Sequence, residues 1–409
     1  MSQGRILFVD LSSGNTRTEE DPALFQEHLG GTAVAAELLN RFGRPDLDPL
    51  DPLSPVIFAI GPFSALYPVA TKTVAVFRSP LTGELGESHA GGRLAAALRE
   101  TGIDAMVVTG ESRSPVFLHI DGQEVFLSSA ATFWGQSAPA TDRVLREALE
   151  RKGRKLSIVR IGPAGERLSP MACATVDNSR HFGRLGLGAL MGSKKLKAIA
   201  VSGKGSVEIK NPKAYQDIYH GIYEKVVHSD EMKKYHNLGT PANILPLNAI
   251  SGLPTRNFSQ GFFENAGNIS GEAFLEEVNV QHMACAHCPC GCIQVAELRE
   301  KFAPAHYSTV RLSYDYELIF AVGTQLSIST PREILRLIYF IEKQGWDCIS
   351  MGNTLAWATE AYLSGVIGEK ETKDLSLCFG DTTSYLEAMK RISEGREEFF
   401  RDLEKGTAF

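Results

Sequence analysis

The hydrophobic pattern of the chain changes near residue 210, and this change divides the sequence into two halves. In the first half, short runs of apolar and β-branched residues are bounded by glycine, proline and polar residues, a pattern typical of β-strands. Such runs predict strands at residues 6–9, 55–61, 72–77, 105–110, 115–120, 123–128, 156–162 and 197–203. Helical periodicity predicts helices between them, at residues 21–42, 91–102 and 140–153.

The second half has mainly helical periodicity. Apolar residues recur at helical spacing over residues 213–229, 271–282, 330–345, 352–365 and 383–406. The fold class predicted from both halves is α+β. A β-sheet-rich domain is expected over residues 1–210, followed by a mainly helical domain over residues 211–409.

Composition and charge narrow the possible functions. The chain has 409 residues, of which 43% are hydrophobic and 22% charged, so two or three ordinary globular domains are expected. The net charge of −6 disfavours a nucleic-acid partner, because no basic stripe is present to neutralise phosphates. No apolar stretch reaches the ~18 residues of a membrane span. With no leader-like N-terminus, a cytoplasmic location is expected.

The cysteines are concentrated in one segment. Four of the seven fall within eight residues, at Cys285, Cys288, Cys290 and Cys292. Disulfides between them would close very small rings, which disfavours a disulfide framework. The C-x-x-C-x-x-x-C spacing favours three local ligands of an iron–sulfur cluster with a fourth from elsewhere. A zinc site that adds His282 or His287 remains open, as do unliganded thiols.

Two glycine-rich segments precede predicted helices, at residues 88–98 and 180–201. Exposed main-chain amides at a helix start bind anions, most often phosphate. Arg180 and Arg184 beside the second segment make a phosphorylated cofactor plausible. Tight turns for close helix–sheet packing are the alternative interpretation.

Several longer motifs occur in a characteristic order. They include GRILFVDLSSG at residues 4–14, FRSPLTGELGESHAGG at 77–92, GRLGLGALMGSKKLKAIAV at 183–201 and GWDCISMGNTLA at 345–356. With the cysteine motif, they resemble the tungsten-containing aldehyde ferredoxin oxidoreductase family over residues 4–406. The resemblance implies a first domain that forms the base of a bis-pterin cofactor carrying tungsten or molybdenum, and a neighbouring [4Fe-4S] cluster. It also implies oxidation of aldehydes to carboxylates, with electrons passed to ferredoxin or an electron-transfer subunit.

The resemblance assigns roles to individual residues. Cys285, Cys288 and Cys292 match three cluster ligands, and Cys290 is a local candidate for the fourth. Glu317 aligns with the active-site glutamate, although a solvated charge is the alternative interpretation. The resemblance also implies that a Mg²⁺ ion links the pterin phosphates. The two main-chain carbonyls that bind this ion align with those of His89 and His181. The remaining cofactor-binding assignments are Lys72 in place of a bridging arginine, Gly91, Gly92, Arg180, Gly183 and Arg184 in the phosphate turns, and Glu342, Trp346 and Asp347 in a pterin motif.

The family's usual C-terminal third is expected to be absent from this chain. That part carries a second pterin motif, the fourth cluster cysteine and an active-site histidine. Its absence would mean that a second subunit completes the site, that the chain is a fragment, or that the chemistry has been lost. The alternative functions are therefore an electron-transfer subunit that carries only the cluster, and a zinc-binding scaffold protein.

Overall fold

The computed structural model describes residues 4–150, 155–177 and 180–407. These form two compact units. The first unit contains residues 1–226 and residues 285–289, and the second contains residues 227–284 and 290–409. The cysteine-rich segment is thus shared between the units, with Cys285 and Cys288 in the first and Cys290 and Cys292 in the second.

The strands of the described residues lie mostly in the first unit, and the last three of them lie in the second. They are β1 Arg5–Asp10, β2 Asn15–Glu20, β3 Val56–Ile60, β4 Thr73–Arg78, β5 Leu85–Ala90, β6 Ala105–Thr109, β7 Val116–Asp121, β8 Glu124–Ser129, β9 Ser157–Arg160, β10 Ala174–Val176, β11 Arg180–Phe182, β12 Leu196–Ser202, β13 Asn279–Met283, β14 Ile293–Ala303 and β15 His306–Tyr314.

Helices occur throughout and dominate the second unit. They are α1 Pro22–His28, α2 Gly31–Phe42, α3 Leu94–Thr101, α4 Ala138–Leu149, α5 Pro163–Glu166, α6 Leu187–Ser193, α7 Pro212–Val227, α8 Asp230–Leu238, α9 Ile244–Ala249, α10 Gly271–Glu277, α11 Tyr316–Val322, α12 Pro331–Gln344, α13 Cys348–Leu363, α14 Glu369–Thr372, α15 Thr382–Glu394 and α16 Glu398–Leu403. Short 3₁₀ helices lie at Thr240–Asn243, Ala266–Ile269 and Thr324–Leu326.

The first unit is built on two six-stranded sheets. Their strand orders are β2-β1-β6-β3-β4-β5 and β11-β10-β9-β12-β7-β8. Apolar residues from both sheets, with others from α3 and α6, form one shared core. Helices α1 and α2 cover the other face of the first sheet, and α4 covers that of the second. The edge strands β5 and β11 contact each other, so the site-bearing turns that adjoin them lie close together.

The second unit combines helices with one antiparallel sheet of order β13-β14-β15. The predicted helix over residues 271–282 is wrong at its C-terminal end, because α10 stops at Glu277 and residues 279–283 form β13. The long hairpin of β14 and β15 was not predicted, since its solvent-facing residues alternate with few strongly apolar ones. Left-handed Gly395 (φ 59°) also divides the predicted helix over residues 383–406 into α15 and α16.

The predicted α+β class, with sheets first and helices later, is confirmed. All eight predicted strands are present within a few residues of their predicted limits. The single helix predicted over residues 21–42 is instead two helices, because Leu29, Gly30 and Gly31 have positive φ angles. The helix predicted over residues 140–153 ends at Leu149, and residues 151–153 lie outside the described part of the chain.

Within the described ranges, no helix is both long and apolar enough to cross a bilayer.

Two lysines at the end of the GALMGSKKLK motif are completely buried. The Lys194 ammonium donates to the carbonyl oxygen of Pro52 at 2.8 Å. Lys197 forms an ion pair with Glu166 and donates to the carbonyl oxygen of Gln136 at 2.9 Å. Burial lowers the pKa of both lysines, and for Lys194 to about 7. Loss of water around an ammonium favours its neutral form, which explains the direction of both shifts.

We expect Lys194 to make the stability of the protein depend on pH. Its pKa falls from 10.5 to about 7 on folding, so between these pH values only the unfolded chain carries the extra proton. The free energy of unfolding therefore rises with pH in this window, by about 1.4 kcal/mol per pH unit. In urea denaturation, the wild type should gain roughly 2 to 3 kcal/mol over Lys194→Met between pH 7.5 and 9.5. Lys195→Met, at a partly exposed neighbour, should track the wild type. Equal pH slopes for the wild type and Lys194→Met would contradict this prediction.

Candidate functional site

The turn at Gly91 and Gly92 joins β5 to α3, where β5 contacts β11. A Cβ atom added to Gly91 would lie 2.7 Å from Cys285 Sγ, 3.5 Å from Arg180 Cδ and 3.6 Å from Lys72 Nζ. Only glycine leaves room for the sulfur at that distance. The fold therefore brings a thiol and two cations, from three separate parts of the sequence, to one buried turn.

Main-chain hydrogen bonds attach the first part of the cysteine segment to the first unit. Ala286 N donates to the carbonyl oxygen of Gly92 at 3.0 Å, and Val69 N donates to that of His287 at 3.1 Å. Within the segment, Cys288 N donates to the carbonyl oxygen of Cys285 at 3.1 Å. His287 has a left-handed φ of 61°. The position of Cys285 beside Gly91 is thus fixed by the main chain.

The second part of the cysteine segment is supported by two histidines of the second unit. His236 Nδ1 donates to the carbonyl oxygen of Cys290 at 2.9 Å, and His282 Nδ1 donates to that of His236 at 2.9 Å. The two rings lie 5.7 Å apart. Gly291 has φ 58°, and a Cβ atom there would lie 3.0 Å from His236 Nδ1. The Nδ1 atoms of both histidines are therefore used in holding the main chain of this segment.

A site for a single metal ion would require several ligand side chains close together. Over the described ranges, no three His, Cys, Asp or Glu side chains are grouped closely enough to hold one ion. In a cubane cluster each thiolate binds a different iron, so the ligand sulfurs are spread around the cluster rather than around one ion.

The charges at the Gly91 turn fit an anionic group. Arg180 Nε is buried and has no hydrogen-bond partner among the described residues. A buried guanidinium nitrogen without an acceptor is unfavourable, so this position suits an anionic oxygen. The buried hydroxyls of Thr73 and Thr175 also lack a hydrogen-bond partner in the described part of the protein. A phosphate-bearing cofactor therefore fits the donors at this turn.

The other residues assigned to the phosphate turns lie on or beside the same edge strands. His89 is on β5, where its Nε2 atom is 2.6 Å from Glu87 Oε1. This hydrogen bond, with a second from Thr32, lowers the pKa of Glu87. His181 is on β11 opposite Thr175. Gly183 and exposed Arg184 follow β11 and precede α6.

Glu317 lies in the second unit, in the first turn of α11. Asp315 caps this helix by accepting from Leu318 N at 3.1 Å. The Glu317 side chain is exposed, and a carboxylate near a helix N-terminus is favoured by the helix dipole. Burial raises the pKa of the adjacent Tyr316, and the charge of Glu317 adds to this shift. Glu317 is thus an accessible carboxylate on a well-capped helix.

The predicted pterin motif forms the junction between α12 and α13. Trp346 is buried and its Nε1 atom donates to Glu404 at 3.0 Å. Asp347 caps α13, with one oxygen accepting from Ile349 N at 3.2 Å and the other from Ser350 N at 2.9 Å. Both side chains therefore have structural roles, which the sequence did not reveal. Their assignment to cofactor binding, with that of half-buried Glu342 in the last turn of α12, stays a prediction.

Comparison with known families accounts for nearly the whole chain. The family model described as "Aldehyde ferredoxin oxidoreductase, N-terminal domain" matches residues 6–203. The model described as "Aldehyde ferredoxin oxidoreductase, domains 2 & 3" matches residues 217–408. The chain belongs to the aldehyde ferredoxin oxidoreductase family. The resemblance inferred from the motifs is thereby confirmed.

Individual relatives agree with membership of the aldehyde ferredoxin oxidoreductase family. The chain is 33% identical to the tungsten-containing aldehyde ferredoxin oxidoreductase of Pyrococcus furiosus, over 99% of this chain and 66% of that protein. It is 35% identical to the enzyme of the same name from Thermococcus kodakarensis, over 91% of this chain and 60% of that protein. An aliphatic sulfonate oxidoreductase, WOR-like subunit, from P. furiosus is 28% identical over 99% of this chain and 66% of that protein.

A solved structure has the same fold. The active site complex BamBC of benzoyl coenzyme A reductase, in complex with 1,5-dienoyl-CoA, superimposes with a TM-score of 0.85 and 22% identity. The match covers 100% of this chain and 62% of that chain. At this level of identity, the similarity establishes the fold and nothing further.

The expectation that the family's C-terminal third is absent is not supported. The model of domains 2 & 3 matches the chain through residue 408, although the chain spans 66% and 60% of the lengths of the two aldehyde ferredoxin oxidoreductases above. The expectation of a second subunit that supplies a missing domain rested on that absence and stays a prediction.

Proposed function

We propose that the protein is a tungsten–pterin oxidoreductase that converts an aldehyde to a carboxylate and passes the electrons through a [4Fe-4S] cluster to ferredoxin or another electron-carrying subunit. The oxidation consumes one water and releases two electrons and three protons. Membership of the aldehyde ferredoxin oxidoreductase family supports the reaction class. The structural observation that carries the proposal is the convergence of Cys285, Arg180 and Lys72 on the Gly91 turn.

The Gly91 turn is the proposed place where the cofactor's phosphates meet the cluster segment. Arg180 would hold an anionic oxygen at its unpartnered Nε atom, and Arg184 and the glycine amides would extend the phosphate site. Lys72 would contribute a compact positive charge without the planar fork of an arginine. The main-chain carbonyls of His89 and His181 are the proposed ligands of Mg²⁺. When bound, the tungsten or molybdenum bis-pterin group supplies the two-electron redox chemistry.

The cluster ligands and the proton acceptor are proposed in different segments of the chain. Cys285, Cys288 and Cys292 are the proposed cluster ligands, and Cys290 is a candidate for the fourth. The Glu317 carboxylate is the proposed acceptor of a proton released by the oxidation, because it is an exposed carboxylate held in the first turn of α11. Glu342, Trp346 and Asp347 are proposed to contact a pterin from the α12–α13 junction.

A second candidate function is an electron-transfer subunit that carries only the cluster. One relative is named as a subunit of an oxidoreductase, so assembly with a partner chain is compatible with this alternative. The same relative's name extends the candidate substrates to aliphatic sulfonates. The two functions require different cofactors, so metal analysis separates them.

We expect the protein, purified without oxygen, to contain tungsten or molybdenum, phosphorylated pterin and iron. Elemental analysis and pterin fluorescence after oxidation measure these contents. Viologen dye reduction should follow the addition of an aldehyde, tested with an aliphatic aldehyde, an aromatic aldehyde and an alkanesulfonate in parallel. Iron without pterin would instead support the electron-transfer subunit. Zinc alone would contradict both proposals.

A further inference from the structure

Asp177 directly follows Val176, the last residue of β10, and has a left-handed φ of 50°. One carboxylate oxygen, Oδ2, accepts from Arg93 N at 2.9 Å. Arg93 directly follows the Gly91–Gly92 turn. The carboxylate therefore connects this turn to the chain segment that carries Arg180.

The other oxygen of Asp177 is held by the second sheet. Oδ1 accepts from Ile158 N at 3.1 Å, from the Ser157 hydroxyl at 3.0 Å and from Arg146 Nη2 at 3.3 Å. Burial opposes the charge on Arg146, but its bonds to Asp142 and Asp177 outweigh this and raise its pKa. One carboxylate oxygen is thus fixed by two donors on β9 and one on α4, and the other oxygen holds the turn.

The contact between Asp177 and the turn is close enough to require glycine. Gly92 has φ 87°, and a Cβ atom there would lie 2.9 Å from Asp177 Oδ2. Val176 of β10, the residue before Asp177, pairs with Arg180 of β11. The separation between the Gly91 turn and Arg180 is therefore determined through the Asp177 side chain.

We propose that Asp177 is a positioning residue that holds the two halves of the phosphate site, the Gly91–Gly92 turn and Arg180, at a fixed spacing. This inference rests on the proposed function, because it takes the anion at this site to be the phosphate end of the pterin cofactor. Asp177 itself does not contact the anion. A negative charge beside an anion site would oppose binding unless its own donors neutralise it, and four donors do so here.

Asp177→Asn tests this role selectively. Because three donors converge on Oδ1, the amide oxygen of asparagine is expected to remain there. Its NH₂ group would then face Arg93 N–H, which removes the bond to the turn and leaves the bonds to β9. Ser157→Ala is the matched control, since it removes one donor from Oδ1 and leaves the Arg93 bond intact.

The probe is inorganic pyrophosphate, titrated calorimetrically into the full chain produced in a host that makes no pterin. We expect Asp177→Asn to weaken pyrophosphate binding about tenfold, the scale of one hydrogen bond to a charged group. Ser157→Ala should bind within about twofold of the wild type. Thermal unfolding of all three proteins shows whether the two substitutions destabilise the fold to a similar extent.

The possible outcomes distinguish the role of Asp177 from the existence of the phosphate site. Wild-type affinity in Asp177→Asn, or equal loss in both variants, would overturn the role of Asp177 and leave the proposed function standing. Failure of the wild type to bind pyrophosphate would overturn the phosphate site and, with it, this inference. If Asp177→Asn does not fold, Gly92→Ala tests the same contact from the turn. It should weaken binding at least as much, and unchanged binding would overturn the inference.

Discussion

Cys285→Ser and Cys288→Ser are each expected to abolish the visible absorption of the protein and most of its iron, which should amount to about four atoms per wild-type chain. The reason is that a serine hydroxyl at neutral pH does not replace a thiolate as a ligand of iron. Cys285 is additionally confined against Gly91. Iron analysis and the absorption spectrum under anaerobic conditions measure the effect.

Other cysteines provide controls for this result. Cys378→Ser changes an exposed thiol of the second unit and should retain full iron content. Cys290→Ser should have a milder effect than Cys285→Ser unless Cys290 is the fourth ligand, in which case the losses will be equal. Full iron content in both Cys285→Ser and Cys288→Ser would refute the cluster assignment.

Glu317→Gln is expected to lower aldehyde-dependent dye reduction ~100-fold or more, the scale of a positioned general acid or base. Glutamine keeps the size and hydrogen-bonding reach of the side chain but cannot accept the proton. Metal and pterin contents should remain near those of the wild type, because Glu317 is exposed and its helix is capped independently by Asp315. Steady-state rates and elemental analysis of the same preparations test both parts of the prediction.

A second first-turn carboxylate separates catalysis from helix stability. Glu333 occupies the first turn of α12, so Glu333→Gln removes a comparable favourable interaction with a helix N-terminus. It should leave turnover within a few-fold of the wild type. If Glu317→Gln also retains turnover, Glu317 is a surface charge and the proton acceptor lies elsewhere.

The hydrophobic pattern predicted the buried strands but did not predict the exposed strands. All residues of β3 are buried, so this strand reads as a continuous apolar run. All residues of β2 are exposed, and only its pairing with β1 makes it a strand. Strand β5 alternates between buried and exposed positions but has few large apolar side chains, so the same limitation applies to it.

The sequence by itself determined the family of this protein and predicted the residues of its cluster segment. The spacing of Cys285, Cys288 and Cys292 and the order of the glycine-rich motifs are properties of short segments. Such properties can be recognised in the sequence without a structure.

The tertiary structure alone decided which distant residues meet. Cys285 lies against Gly91 because strands β5 and β11 end at adjoining sheet edges and main-chain bonds hold residue 286 to residue 92. No local pattern marks Asp177, since its role comes from donors on β9, α4 and the Gly92 turn. The burial of Lys194 is equally non-local. No residue beside it in the sequence marks this lysine as buried, yet tertiary packing removes its contact with water and lowers its pKa to about 7.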